Sequence, residues 1–277
     1  MRLLGTVKRN LRQTFAIAER NIWFELRFKA SFIQSYITPI ANFVIFFIIF
    51  GTIFNVNENS NFGYWDSSNF VLFLLIGYSI QQIRSIISRY DQLFMREKFW
   101  KTLQGLLVAP FHRLNLLIGI VFSDLILSSV PIVLVLTISY FLFPIALFQF
   151  FLFIFVFFSI SIIFGSIGIF IGVFSISNES IAKFLIFSIN ILLAFSCITY
   201  PLEIFPNIIQ ILMIINPLYY YFDLLRLTWL SGVNPTIAIN YINPLHIFIV
   251  IFFTIIGPII AIYSFNKIYK KMGITGY

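Results

Sequence analysis

The chain has 277 residues, 60% hydrophobic and 10% charged, with a mean hydropathy of +0.97. Soluble domains carry about 25% charged residues, so a water-soluble globular enzyme is excluded, as are collagen-like, disulfide-built and disordered chains. The net charge is +8, but the bases lie between apolar runs, so they point to a lipid surface rather than to nucleic acid. One cysteine, Cys197, makes no internal disulfide and builds no metal site alone. The 37 Phe are open to a reading as AT-rich coding.

The first element is a basic amphipathic helix over 8–30. Leu11, Phe15, Ala18, Ile22 and Leu26 fall on one face, and Arg9, Arg12, Arg20 and Arg27 lie off it. Such a helix rests in the interface plane, apolar face down. Six apolar runs follow, each long enough for the roughly 20 residues of a spanning helix: Tyr36–Phe54, Phe70–Ile87, Leu114–Phe143, Ile145–Phe174, Ile181–Tyr200 and Leu245–Phe265. They are continuous rather than alternating, which argues against a β-barrel. The fold class is therefore all-α and membrane-embedded, a single transmembrane domain over 1–277. All 18 Lys and Arg except Arg226 fall on one side of these spans. By the positive-inside rule both termini are cytoplasmic, in a multi-pass protein of the plasma membrane.

Between spans two and three, residues 89–113 read RYDQLFMREKFWKTLQGLLVAPFHR. Glu97 and Lys101 form an i, i+4 pair that suits a helix, and Gly105 and Pro110 mark a break. Trp100, Leu103 and Leu107 are not needed by a solvated connector. They read either as interfacial anchors or as a face for a partner. In span three Asp124 is an intramembrane acid with Arg84 as a plausible partner; a structural ion pair and a pathway residue are both open readings. Ser128, Ser129 and Pro131 permit a kink beyond it. In span four, Ser161, Gly165, Gly168 and Gly172 give small-residue spacing for close packing, within the chain or across a dimer seam.

Residues 201–243, between spans five and six, are too apolar for a water-exposed loop. Ile204–Ile215 and Leu218–Leu230 are each too short to span and are separated by Asn216-Pro217. An outer re-entrant helical hairpin is the economical reading. Asp223 and Arg226 form an i, i+3 pair, with Glu203 as a competitor. Local charge neutralisation and substrate head-group contact are both open. Tyr219, Tyr220 and Tyr221 sit where an aromatic belt lies; a gate is the other reading.

These segments resemble the membrane subunit of ABC-2 type exporters. The motifs are REKFWKTLQGLLVAPFHR (Arg96–Arg113) and Pro201–Arg226, ending NPLYYYFDLLR. In the first, Glu97, Thr102, Leu103, Leu106, Leu107, Ala109, Pro110 and Arg113 stand in the family's places. Lys101 replaces the usual Gly, and Gln104 the usual Glu. The resemblance implies a permease that pairs with a second copy or a paralogue. It implies a separate ATPase subunit docking around Glu97–Leu107, with a second contact at the 175–180 turn near Ser177 and Glu179. ATP and Mg would reside on that partner, because the sequence contains no G-x-x-x-x-G-K-[ST] loop, and the chain itself binds no cofactor. Membrane lipids are its other partners.

Two other classes were weighed. A membrane transferase needs convergent acids, bases or metal ligands, and this chain has two His, at 112 and 246, and one Cys. An ion-coupled transporter needs several buried ionisable groups or repeats, and only Asp124 stands out. The residues do not choose among lipid-linked glycan, lipid and hydrophobic drug as cargo.

Overall fold

The computed structural model describes residues 2–56, 62–101, 113–233 and 243–272. Among the described residues the protein is helical, with one isolated bridge between Phe62 and Trp65 and no β-strand. The helices are α1 (Arg2–Arg27), α2 (Lys29–Val56), α3 (Phe70–Ile83), α4 (Ser85–Phe99), α5 (Arg113–Leu127), α6 (Ser129–Leu142), α7 (Leu147–Ser177), α8 (Glu179–Ala194), α9 (Asn207–Ile215), α10 (Pro217–Val233) and α11 (Pro244–Met272). Four stretches are long and apolar enough to span: Phe32–Ile49, Phe70–Phe99, Leu147–Ser177 and Pro244–Ile268. Counting the bent pairs α5–α6 and α9–α10 as one span each brings the number to six.

The core element is α7, which packs against α4, α5, α8, α10 and α11. Lipid tails are as apolar as a leucine, so helices here associate through close packing and polar contacts. A Cβ on Gly168 would stand 3.2 Å from the carbonyls of Ile86 and Ile87, and one on Gly172 would stand 3.0 Å from that of Tyr90. The small-residue stripe is thus filled from within the chain, by α4.

Three elements differ from the sequence expectation. Span two does not end at residue 87. The backbone stays helical through Arg84 (φ −57°, ψ −27°), and α3 and α4 form one 30-residue rod to Phe99. The first part of the stretch expected to be a connecting loop is therefore helix. Span three is bent by 60° between α5 and α6, at the expected kink. Pro131 has no N–H for the Leu127 carbonyl, and the Tyr36 hydroxyl of α2 donates to that oxygen instead. Span five is shorter than expected: α8 has 16 residues, about 24 Å, against a hydrocarbon core of about 30 Å. It gives way to irregular backbone from Phe195 onward.

The α5–α6 bend yields a prediction. Tyr36→Phe leaves the Leu127 carbonyl without a donor and should lower stability by about 1–2 kcal/mol, read as an earlier thermal midpoint in detergent. An unchanged midpoint would show that the hydroxyl does not hold the bend.

Candidate functional site

Three groups of polar residues stand out in this apolar framework. The first is a cavity of about 440 Å³ between α2, α3–α4, α7 and α8, walled by Asn42, Gln81, Arg84, Ser88, Asp91 and Asn190 among others. Arg84 is 14 residues into the α3–α4 rod, about 21 Å from its start, so the cavity lies at membrane depth. Arg84 Nη2 donates to Asn190 Oδ1 at 2.7 Å.

Arg84 does not pair with Asp124. The fully buried Asp124 takes Arg89 Nε and, at 2.8 Å, the Ser85 hydroxyl. Arg89 also holds Glu25 of α1 at 3.0 Å. One guanidinium therefore serves two carboxylates from two other helices. A buried charge of this kind is tolerated only when it is paired and hydrogen-bonded, which favours the structural reading of Asp124.

The second group is a rim at the end of α4. Glu97 is buried and pairs with Arg20 of α1 at 3.2 Å. The expected Glu97–Lys101 helical pair does not form, because Phe99 is the last helical residue and Lys101 has a left-handed backbone (φ 59°). Glycine best tolerates that conformation at a helix end. Arg96 lies 3.2 Å over the Phe24 ring, and Trp100 packs on Phe24 at 5.5 Å. Lys98 Nζ donates to the Ile176 carbonyl at 3.4 Å, where a cation suits the C-terminal end of α7.

That contact brings the two expected ATPase-contact regions together. Asn178 caps α8 by accepting from the N–H groups of Ser180 and Ile181 at 3.0 and 3.2 Å. Ser177 and Glu179 are exposed beside it. Lys183, 2.9 Å from Glu179, holds that carboxyl below the usual range by hydrogen bond and charge. At the rim Phe99 and Trp100 are 76% and 56% exposed, with Trp100 resting on Phe24 along one side. Leu103 and Leu107 lie outside the described residues.

The third group joins the α9–α10 hairpin, bent by 93° at Asn216, to its surroundings. Asp223 and Arg226 are both buried but do not contact each other as an ion pair. Arg226 Nη1 donates to the Cys197 carbonyl at 2.6 Å, Nη2 donates to that of Ile198, and the guanidinium sits 3.6 Å over the Phe73 ring. Asn216 Nδ2 donates to the Leu192 carbonyl at 2.6 Å. These two side chains satisfy carbonyls that the end of α8 leaves open.

Asp223 accepts from the Tyr64 hydroxyl and has His246 Nδ1 at 3.6 Å. Burial first, then the Asp223 charge, pushes the Tyr64 hydroxyl far above its ordinary range, so it remains a donor. Glu203 does not reach Arg226; its carboxylate lies against Gly63, which is at positive φ (64°). Tyr219 and Tyr220 stack edge-to-face at 5.3 Å, and Tyr220 meets the His246 ring at 5.0 Å.

Glu25, Arg89, Tyr64 and Asn190 were not singled out from the sequence as site residues, and Arg20 and His246 were noted there without these partners. A usable signal existed only for Glu25, one of few acids in a basic helix. Among the described residues no cluster of three or more His, Cys, Asp or Glu could hold a metal.

An all-helical bundle with four to six stretches long and apolar enough to cross a bilayer defines an integral, multi-pass membrane protein. The family model described as ABC-2 type transporter matches residues 12–230, so the chain belongs to the ABC-2 type transporter membrane family. Domains of this family are transmembrane permeases without an ATPase domain of their own, and they work with ATPase subunits. No curated protein matches the chain in sequence.

The geometry at the hairpin sets an expected outcome. Arg226→Ala leaves two carbonyls uncapped and should cost about 3 kcal/mol of stability, read as lost folded yield and a lower thermal midpoint. A stable variant that fails only in transport would place Arg226 on the cargo path instead.

Proposed function

We propose that this chain is the permease subunit of an ATP-driven exporter that moves a lipid-linked glycan, a lipid or a hydrophobic compound outward across the plasma membrane. The observation that carries the reading is the partly open cavity of about 440 Å³ whose wall sets Asn42, Gln81, Arg84, Asp91 and Asn190 among apolar side chains. Amides and hydroxyls are costly beside lipid unless something polar passes or binds there. Their chemistry favours a cargo with a hydroxyl-rich or head-group portion over a purely apolar drug.

In this reading the protein crosses the membrane six times with both termini cytoplasmic, the short helix α8 supplying the fifth crossing in place of the α9–α10 pair. The helix α1 lies in the inner interface, and the α9–α10 hairpin dips into the outer leaflet. The exposed apolar faces of α2 and α8 meet a second copy or a paralogue. The ATPase docks on the rim made by Phe99, Trp100 and Lys101 with the Ser177–Glu179 turn. Nucleotide can shift the permease only by binding its two arrangements with different affinity. The Arg20–Glu97 and Glu25–Arg89 pairs would carry a displacement of the rim to α1, and Arg89 with Asp124 would carry it to α5. Tyr219 and Tyr220 form part of the outer aromatic belt.

Two experiments test this. In a Cys197→Ser background, Ser67→Cys should react with a membrane-impermeant maleimide applied from outside, and Lys98→Cys should react only after permeabilisation; the reverse pattern rejects the orientation. Phe99→Ala with Lys101→Glu should reduce recovery of the ATPase subunit in pull-down at least tenfold while leaving membrane insertion intact. Undiminished co-purification removes the docking site.

A further inference from the structure

Among the described residues most of the basic side chains that line the helix interfaces have a strong partner, but Arg84 has no carboxylate. Arg89 has Glu25 and Asp124, Glu97 has Arg20, and Arg226 has two carbonyls and a ring face. Arg84, on the wall of the 440 Å³ cavity, has only the neutral Asn190 oxygen. No carboxylate of the described residues lies within ion-pair distance of it. Asp91 shares the cavity wall but is seven residues further along the rod, about 10 Å by helical rise, and its carboxylate accepts from the Ser175 hydroxyl. Asp124 is already neutralised by Arg89.

The cavity is therefore cationic at one end and anionic at the other. Around the cationic end stand neutral donors, the amides of Gln81, Asn42 and Asn190. A guanidinium offers a planar fork of N–H groups that matches phosphate oxygens, and neutral amides can serve the remaining oxygens.

We infer that Arg84 is an anion-recognition residue that binds a phosphate ester inside the cavity. The inference rests on the permease reading and narrows its cargo to molecules that carry a phosphate at the membrane-embedded end. The same chemistry is offered by a phospholipid head group from the bilayer, which would then be a resident occupant.

The test uses purified full-length protein in detergent with two probes, farnesyl phosphate and farnesol, which differ only in the phosphate. Wild type should bind farnesyl phosphate at least tenfold more tightly than farnesol by calorimetry. Arg84→Gln, which keeps a donor for Asn190, should bind the two within twofold of each other, and Arg84→Lys should recover part of the preference. Should Arg84→Gln fail to fold, Gln81→Leu should still lower affinity for the phosphate and leave that for farnesol unchanged.

Equal binding of both probes by wild type, or an undiminished preference in Arg84→Gln, overturns the site. Phosphorus analysis of extracted lipid separates the two sources. One tightly held phospholipid per wild-type chain, absent from Arg84→Gln, supports the site with a bilayer lipid as occupant. No retained phospholipid, together with the farnesyl phosphate preference, supports it with cargo as occupant. Absence of the phosphate preference in wild type, with the ATPase still co-purifying, removes this site alone. Lost co-purification with the preference intact removes the docking part of the permease reading alone.

Discussion

Arg89 is the fastening on which the inner half of the protein depends. A guanidinium buried among apolar helices must find counter-charges or hydrogen-bond acceptors, and for Arg89 two carboxylates come from α1 on one side and α5 on the other. That requirement decides which faces of three helices meet. Once Arg89 is placed, Ser85 reaches Asp124 from the same face, and Arg20 meets Glu97 further along α4. Asn115 of α5 donates to Gln13 of α1 at 2.7 Å. The basic helix α1 is thus held by polar contacts, with Ala18 buried and Leu11, Phe15, Trp23 and Leu26 left exposed. An apolar face with no protein over it is what lipid can cover.

Polar groups do similar work elsewhere. Helices broken at membrane depth leave carbonyls that water cannot reach. At the α5–α6 bend a tyrosine from α2 takes one of them. At the end of α8 the two residues that bracket the hairpin's turn and its basic end, Asn216 and Arg226, take others. The Asn-Pro…Arg pattern that marks this part of the sequence puts two side chains where they satisfy backbone carbonyls.

The all-helical class and most of the spans were legible in the sequence because a membrane permits few alternatives to continuous apolar helices. The kink at Pro131 was legible for an equally local reason. The charge pairings were not. Arg84 and Arg89 are five residues apart, which places them about 140° apart around a helix, so one faces the cavity and the other faces Asp124. Hydropathy gives no rotation for a helix that is apolar on nearly all sides. Glu97 and Lys101 had ideal spacing but failed to pair because the helix ends between them. Glu97, expected at the partner contact, is engaged internally by Arg20, a pairing between distant segments that spacing cannot show. The cavity itself was missed, because Asn42, Gln81, Arg84 and Asn190 come from three distant segments and none carries a motif.

The walls of that cavity are unequal. The α3–α4 rod is largely buried, with glycines of α7 pressed against its backbone, whereas the spanning window of α2 has no buried residue at all. Prying α4 loose would strip apolar area from the centre of the protein; moving α2 would forfeit the Tyr36 hydroxyl bond and the packing of Phe43 and Phe46 at its contact with α3. The chamber therefore has a stiff back and a loosely hung front, and a bulky molecule could slip in sideways from the bilayer while the scaffold behind it stays at rest.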